Sequence, residues 1–430
     1  MPPPFPVRRL SALAVLPALL ILGIGGCRWN RPDPVPFQPL TFRGINLIPA
    51  LWLGTGTDPT TLDRAELLAE SWQAYRQRFI QSDGRVIDWE DGGRTVSEGQ
   101  AYAMLRAVLA DDPETFDLTL RWAEDNLRRP SSANDADGMD HLWAWKWGRA
   151  TDGRWQILDA NFASDADIDA ITALILASRR WQRPDYLELA RLKLADLWVQ
   201  STLPLAGDGA RYLLPGPLSA FQPRPGAIYL NPSYLAPYAF RLFAQVDPEH
   251  DWLALVESSY RVLDQVSVLS VSGLPGDWVL LDMTSQTLEE TPQAATLRSQ
   301  YGFDAHRVWW RIAWDAAWFQ EPRATAFLTE NLVFLEQLWQ QDQRIPAVLS
   351  LAGDPLVDYD ATGQYAMLYA AFAQTQPSVA TELYQQKIMP AYRNGIWDNA
   401  NAYYVQNLAW LGLFPPESLA VEWLQELEQP

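Results

Sequence analysis

The sequence predicts an all-α fold, a ring of helical hairpins with one small β-hairpin inserted. Three observations carry this. About a dozen segments show the apolar spacing of helices and alternate with loops. The Pro and Gly clusters between them are short and regularly interposed, and from residue 41 onward none reads as a linker. Finally, GQAYAMLRAVLA (99–110) echoes GQYAMLYAAFA (363–373), with Tyr, Met and Leu in the same order after a Gly-Gln step. Such echoes are what repeated hairpins leave in a sequence, each helix alternating between an inner and an outer ring.

In chain order, residues 1–27 read as an export signal. Arg8 and Arg9 form a basic start, and residues 11–26 are an apolar or small run, short for a spanning helix. Cys27, the single cysteine, follows Ile24-Gly25-Gly26 as in a bacterial lipobox. Lipid on Cys27 tethering the chain to a membrane, plain cleavage and an uncleaved anchor are the open alternatives. The expected location is the periplasm, the outer membrane surface or the cell exterior. One cysteine excludes an intrachain disulfide and leaves no thiolate site. Residues 28–40, RWNRPDPVPFQPL, read as a Pro-rich tether, and 41–430 as one domain. Helices are expected at 61–80, 99–110, 114–127, 166–180, 185–199, 232–246, 250–264, 304–319, 324–340, 361–374, 377–387 and 401–412. WAWKW (143–147) and RWQIL (154–158), separated by GRATDG, read as the hairpin.

Composition narrows the partner. With 52 acids against 33 Lys plus Arg, the net charge is −19, which disfavours nucleic acid. The 21 Trp far exceed ordinary usage. Indole offers a flat apolar face with one N–H donor, which suits the C–H face of a sugar ring. Many Trp with many acids fit a cleft for a neutral polysaccharide, although most individual Trp are expected to pack between helices. The chain has three His, at 141, 250 and 306, without the spacing of a zinc cluster. No metal and no cofactor are expected.

Three carboxylates stand at helix starts. In DANFASDADIDAITALILASRRW (159–181), Ser164 is expected to cap the helix with Asp167 three residues on. Asp165 falls in the first turn and shares a face with Asp169, a like-charge pair that costs about 0.2–0.5 kcal/mol in a bare helix. In YGFDAHRVWWRIAWDAAW (301–318), Asp304 and Arg307 are spaced to pair, which holds an aspartate charged. A surface ion pair explains that spacing equally well. In TVSEGQAYAML (95–105), Glu98 sits in a Ser-Glu-Gly step, as a first-turn charge or as a proton donor. As an acid it needs apolar surroundings or a carboxylate neighbour. Chain-distant helix starts at one end of a ring can surround one cleft.

The residues then resemble a known family. GRVIDWEDGGRTVSEGQAYAML (84–105), LWAWKWG (142–148), WQILDANFASDADIDAITALILASRRW (155–181), NPSYLAPYAF (231–240) and YGFDAHRVWWRIAWD (301–315) resemble glycoside hydrolase family 8. The likeness is nearest its bacterial endoglucanases associated with cellulose synthesis, and it runs over most of 41–415. It implies an (α/α)6 barrel with an open cleft, a β-1,4-linked polysaccharide as substrate, and hydrolysis of internal bonds with inversion. Association with cellulose-synthesis machinery is a further implied partner. By resemblance Glu98 is the proton donor, Asp304 the general base, Asp165 the residue that binds and distorts the central sugar, and Tyr234 a holder of the attacking water. Trp143, Trp145, Trp147, Trp309 and Trp310 are the expected sugar platforms, and Arg307 the partner that keeps Asp304 charged. Two features depart from the pattern or stand unexplained: Ala170-Ile171 inverts the usual order of large and small residues, and His306 lies beside the base. Chitosan, xylan and mixed-linkage glucan are rival substrates, exo-trimming a rival mode, and a non-catalytic glucan-binding protein the rival outside enzymology.

Overall fold

The computed structural model describes residues 63–130, 139–205 and 209–425. The export signal at 1–27, the tether at 28–40 and the first residues expected in the domain and its first helix lie outside them. Fifteen α-helices follow among the described residues. They are α1 (Arg64–Phe79), α2 (Ser97–Leu109), α3 (Pro113–Asn126), α4 (Ser164–Trp181), α5 (Pro184–Ser201), α6 (Leu218–Phe221), α7 (Pro237–Val246) and α8 (Trp252–Leu269). The second half carries α9 (His306–Phe319), α10 (Pro322–Asn331), α11 (Val333–Asp342), α12 (Thr362–Thr375), α13 (Pro377–Leu383), α14 (Tyr403–Leu413) and α15 (Val421–Leu424).

Helices α2, α4, α7, α9, α12 and α14 pack each against the next, and α14 returns to α2, closing an inner ring. Outside it, α3, α5, α8, α10 and α13 each pack on the inner helix that precedes them, and α1 packs on α14. The first and last barrel helices therefore form the sixth hairpin of an (α/α)6 barrel. The repeat read in the sequence has a structural counterpart. Gln100 and Gln364, equivalent residues of the echo, are both buried in inner helices and bond to connecting loops. The Gln100 amide donates to the Gly84 and Thr119 carbonyls and accepts from the Val86 N–H. Gln364 donates to the Pro346 carbonyl at 3.2 Å.

Several local readings change. The 232–246 helix is a 3-10 turn at Pro232–Tyr234 and a helix from Pro237, because Pro237 forces Ala236 out of helical geometry. The 324–340 segment is two helices, α10 and α11, that meet at Leu332. Residues 143–147 do not form one strand. Trp143 ends the Met139–Trp143 strand, which pairs with Arg128–Pro130, whereas Lys146–Arg149 pairs with Trp155–Asp159. Lys146 and Trp147 also pair with Val96 and Thr95, so the hairpin leans on the strand that leads into α2. Ser164 does not cap α4. It is already helical, and its hydroxyl donates to the Leu214 carbonyl. Asp167 instead accepts the Trp143 N–H at 3.2 Å.

Candidate active site

Glu98, Asp165 and Asp304 meet at one end of the barrel, where α2, α4 and α9 begin. Arg307, in the first turn of α9, joins them. Its Nη1 donates to Glu98 Oε2 at 2.8 Å and to Asp165 Oδ2 at 2.7 Å, and its Nη2 donates to Asp304 Oδ1 at 2.7 Å. Nη2 also donates to the Ser233 hydroxyl at 3.0 Å, and Nη1 lies 3.3 Å from the Tyr102 hydroxyl. The guanidinium is 1% exposed, so this is no surface ion pair. A planar fork with five donors can hold several carboxylates in fixed places. The Asp304 side chain remains 34% exposed and that of Glu98 19%, so both acids face solvent while the cation between them does not.

Burial pushes the Glu98 carboxyl up; Arg307 opposes this, and Asp165 adds to it, leaving the group at about 7. The Tyr403 hydroxyl, from the start of α14, donates to Glu98 Oε1 at 2.9 Å. Gly99 makes room for that tyrosine: a Cβ there would lie 3.2 Å from the Tyr403 ring. The close approach permitted by this glycine is thus an internal one. Burial, reinforced by Asp165 and Asp304, holds Tyr234 well above the usual phenol range. It stays a neutral phenol, stacked 5.3 Å from the Arg307 guanidinium.

The like-charge pair at Asp165 and Asp169 has its own answer. Arg311, one turn beyond Arg307, binds both oxygens of Asp169, and its Nη1 also reaches the Tyr238 hydroxyl at 2.7 Å. Two acids spaced i,i+4 on α4 face two arginines spaced i,i+4 on α9. Ala170 and Ile171, the inverted pair behind Asp165, are both fully buried. His306 is buried too. Its Nε2 meets the Ala347 carbonyl at 3.0 Å, and burial pulls it down to about 3, so it is a neutral brace.

The expected sugar platforms divide. Trp143, Trp309 and Trp310 are fully buried and cannot stack on a ligand. Trp309 and Trp310 lie on α9, an inner-ring helix covered on every side, so they become core. Trp143 ends a strand, with its indole N–H donating to Glu124 Oε1 at 2.9 Å and Lys193 over its ring. Trp145 and Trp147 stay half-buried. Trp145 is beside the acid, since its carbonyl accepts the Ser97 N–H at 3.1 Å. Trp147 is stacked on Trp155 at 5.0 Å and meets the edge of Trp122. Sequence reasoning passed over Trp278, which is half-buried, stacked on Phe221 at 5.7 Å and edge-on to Tyr234. It also passed over Tyr403 and over Asp277, a buried carboxyl beside Asp304. Burial and the Asp304 charge push Asp277 up to about 7.

A barrel with one carboxyl poised near neutrality and another held open beside it has the layout of an acid–base hydrolase. Residues 60–415 match the family described as glycosyl hydrolases family 8, and the chain belongs to that family. It is a glycoside hydrolase. It is 32% identical over 350 residues to an endoglucanase of Xanthomonas axonopodis pv. citri (strain 306), covering 76% of this chain and 85% of that protein. Among solved structures it is similar to an endo-1,4-D-glucanase from Vibrio fischeri ES114, with TM-score 0.66 and 26% identity, over 80% of this chain and 93% of the other. A β-1,3-1,4-glucanase from Paenibacillus sp. X4 shares the fold at TM-score 0.66 and 18% identity, over 83% of this chain and 93% of the other.

Proposed function

We propose that this chain is an endo-acting glucanase that cleaves internal β-1,4 bonds of a cellulose-like glucan with inversion. In this reading Glu98 protonates the glycosidic oxygen. Asp304 takes a proton from the water that attacks the opposite face of the sugar. Asp165 holds the hydroxyls of the distorted central sugar, and Tyr234 helps to hold the water. Inversion needs its two carboxyls about 6.5–9.5 Å apart to admit that water. The observation that carries the reading is the Arg307 fork, which ties Glu98 and Asp304 to different nitrogens of one guanidinium. The names of the Xanthomonas and Vibrio relatives support the choice of glucan. Trp145, whose carbonyl bonds the Ser97 N–H beside Glu98, and Trp278, edge-on to Tyr234, are both half-buried and fit as sugar platforms.

The Glu98→Gln variant is expected to fold and to lose roughly 10²–10⁴-fold in kcat, the worth of a general acid. Reducing-end assays on soluble cellulose, chitosan, xylan and mixed-linkage glucan should show cellulose turned over fastest, with long products first. Proton NMR of the earliest products should show the α-anomer. Near-wild-type activity in Glu98→Gln, or β-anomer at early times, overturns the assignment. The proposal also takes the mature chain to act outside the cytoplasm, following the signal read at 1–27. Mass analysis of the mature N-terminus tests this and separates lipid on Cys27 from plain cleavage.

A further inference from the structure

Asp277 lies in the Gly273–Trp278 stretch between α8 and the Val279–Asp282 strand, far in sequence from the carboxylates above. It is 7% exposed, and the donors that meet it are amides. Oδ1 accepts the N–H of Gly302 at 3.1 Å and that of Ala305 at 2.8 Å. Oδ2 accepts the side-chain amide of Gln300 at 3.3 Å. The two backbone donors bracket Asp304. One carboxylate oxygen therefore pins both ends of the short turn that presents Asp304 to solvent at this end of the barrel. The backbone supports the same placement, since the Asp277 N–H donates to the Gln300 carbonyl at 2.6 Å. Gly302 is shaped around the group: a Cβ there would lie 2.4 Å from Asp277 Oδ2.

The side chain of Asp304 has a second anchor, the Arg307 fork. That anchor fixes one oxygen, Oδ1, and leaves the backbone beneath it to be fixed by something else. Asp304 precedes α9, whose first residue is His306. The Arg307 and His306 N–H groups bond the Asp304 and Gly302 carbonyls at 3.0 Å each, which ties the turn's carbonyls to the helix and leaves its N–H groups at Gly302 and Ala305 to be held by something else. Asp277 fills that role from across the chain.

We infer that Asp277 is a positioning residue for the base side of the reaction, holding the 302–305 turn so that Asp304 keeps its place against the attacking water. The inference rests on Asp304 being the general base. Displacing a reacting group by about 1 Å costs on the order of 10²-fold in rate, whereas substrate held elsewhere in the cleft binds much as before.

The test uses the full chain and soluble cellulose. Asp277→Ala removes the acceptor and is expected to lower kcat about 100-fold with KM within about threefold. Asp277→Asn keeps an oxygen for both N–H groups and is expected to recover kcat to within about tenfold of wild type. Gly302→Ala drives a methyl into the Asp277 carboxylate, leaves every acid in the chain, and should reproduce the Asp277→Ala loss. It also serves if Asp277→Ala does not fold. Full kcat in Asp277→Ala or Gly302→Ala, or equal losses in the Asn and Ala variants, overturns the inference. Asp304→Asn is measured alongside. If it stays active, the base assignment itself fails. If it is inactive while Asp277→Ala turns over normally, only the positioning role fails.

Discussion

Glu98 must hold a proton to serve as an acid, yet two donors, Tyr403 and Arg307, favour its ionised form. Burial outweighs them and carries the group from its ordinary 4.5 to about 7. This has a cost in stability with a definite sign. A carboxyl whose folded pKa is raised binds more protons folded than unfolded, so stability falls as pH rises from about 4.5 to about 7 and is flat above. Glu98→Gln removes that titration. Its Oε1 can accept from Arg307, and its amide can donate to the Tyr403 oxygen. Relative to wild type the variant should therefore gain stability across that window. With 19% of the side chain still exposed, the gain is about 1–2 kcal/mol. Urea unfolding at pH 4.5 and pH 8 measures it; a difference that does not change between the two removes the buried-acid explanation. The alkaline limb of wild-type kcat/KM should fall near pH 7 for the same reason. The three carboxylates and Arg307 were legible because each sits in a short stretch at a helix start. Tyr403 and Asp277 were not. Tyr403 lies 305 residues from Glu98, and Asp277 acts through backbone amides that no side-chain pattern marks.

At the scale of elements, the helices could be read from apolar spacing, but their ring assignment could not. The aromatic run of α9 looked like a sugar platform because Trp309 and Trp310 sit beside Asp304 in sequence. An inner helix has no free face, so those side chains serve the core. The Gly-Gln echo was the one sequence signal of the inner ring, and its glutamines do measurable work. Gln100 bonds two backbone groups of the loop between α1 and α2 and one carbonyl of α3, while Gln364 leaves its own Oε1 without a partner. Gln100→Ala strands the Val86 N–H and the Gly84 carbonyl and removes the tie to the Thr119 carbonyl of α3. It should cost about 2–4 kcal/mol, and Gln364→Ala distinctly less. Denaturant unfolding of both variants at one pH gives the order. Equal losses would show that the shared position, not the loop bonding, sets the cost.

For the whole molecule, closure of the ring is the decisive feature. In an open stack of hairpins the end units have one neighbour, and unfolding can begin there. Here α1 and α14, from the two ends of the barrel sequence, pack on each other and remove the free ends. The joint is tied from within. Arg106 of α2 is buried among Trp72 and Tyr75 of α1 and Trp410 of α14, with ring centroids 5.0, 4.3 and 5.1 Å away, and its Nη1 donates to Asn407. The Asn407 amide in turn donates to the Tyr75 hydroxyl at 3.1 Å. The candidate site draws its acids from α2, α4 and the approach to α9, three different hairpins of that ring. No hairpin can leave without taking a carboxylate or a neighbour of one with it. Activity, far-UV circular dichroism and tryptophan fluorescence are therefore expected to fall at one urea midpoint, with indoles in most of the helices reporting the same event. Arg106→Met loosens the joint without touching the acids, and it should shift all three midpoints down together. If activity disappears well before fluorescence changes, one hairpin opens alone, and closure of the ring does not make the barrel a single cooperative unit.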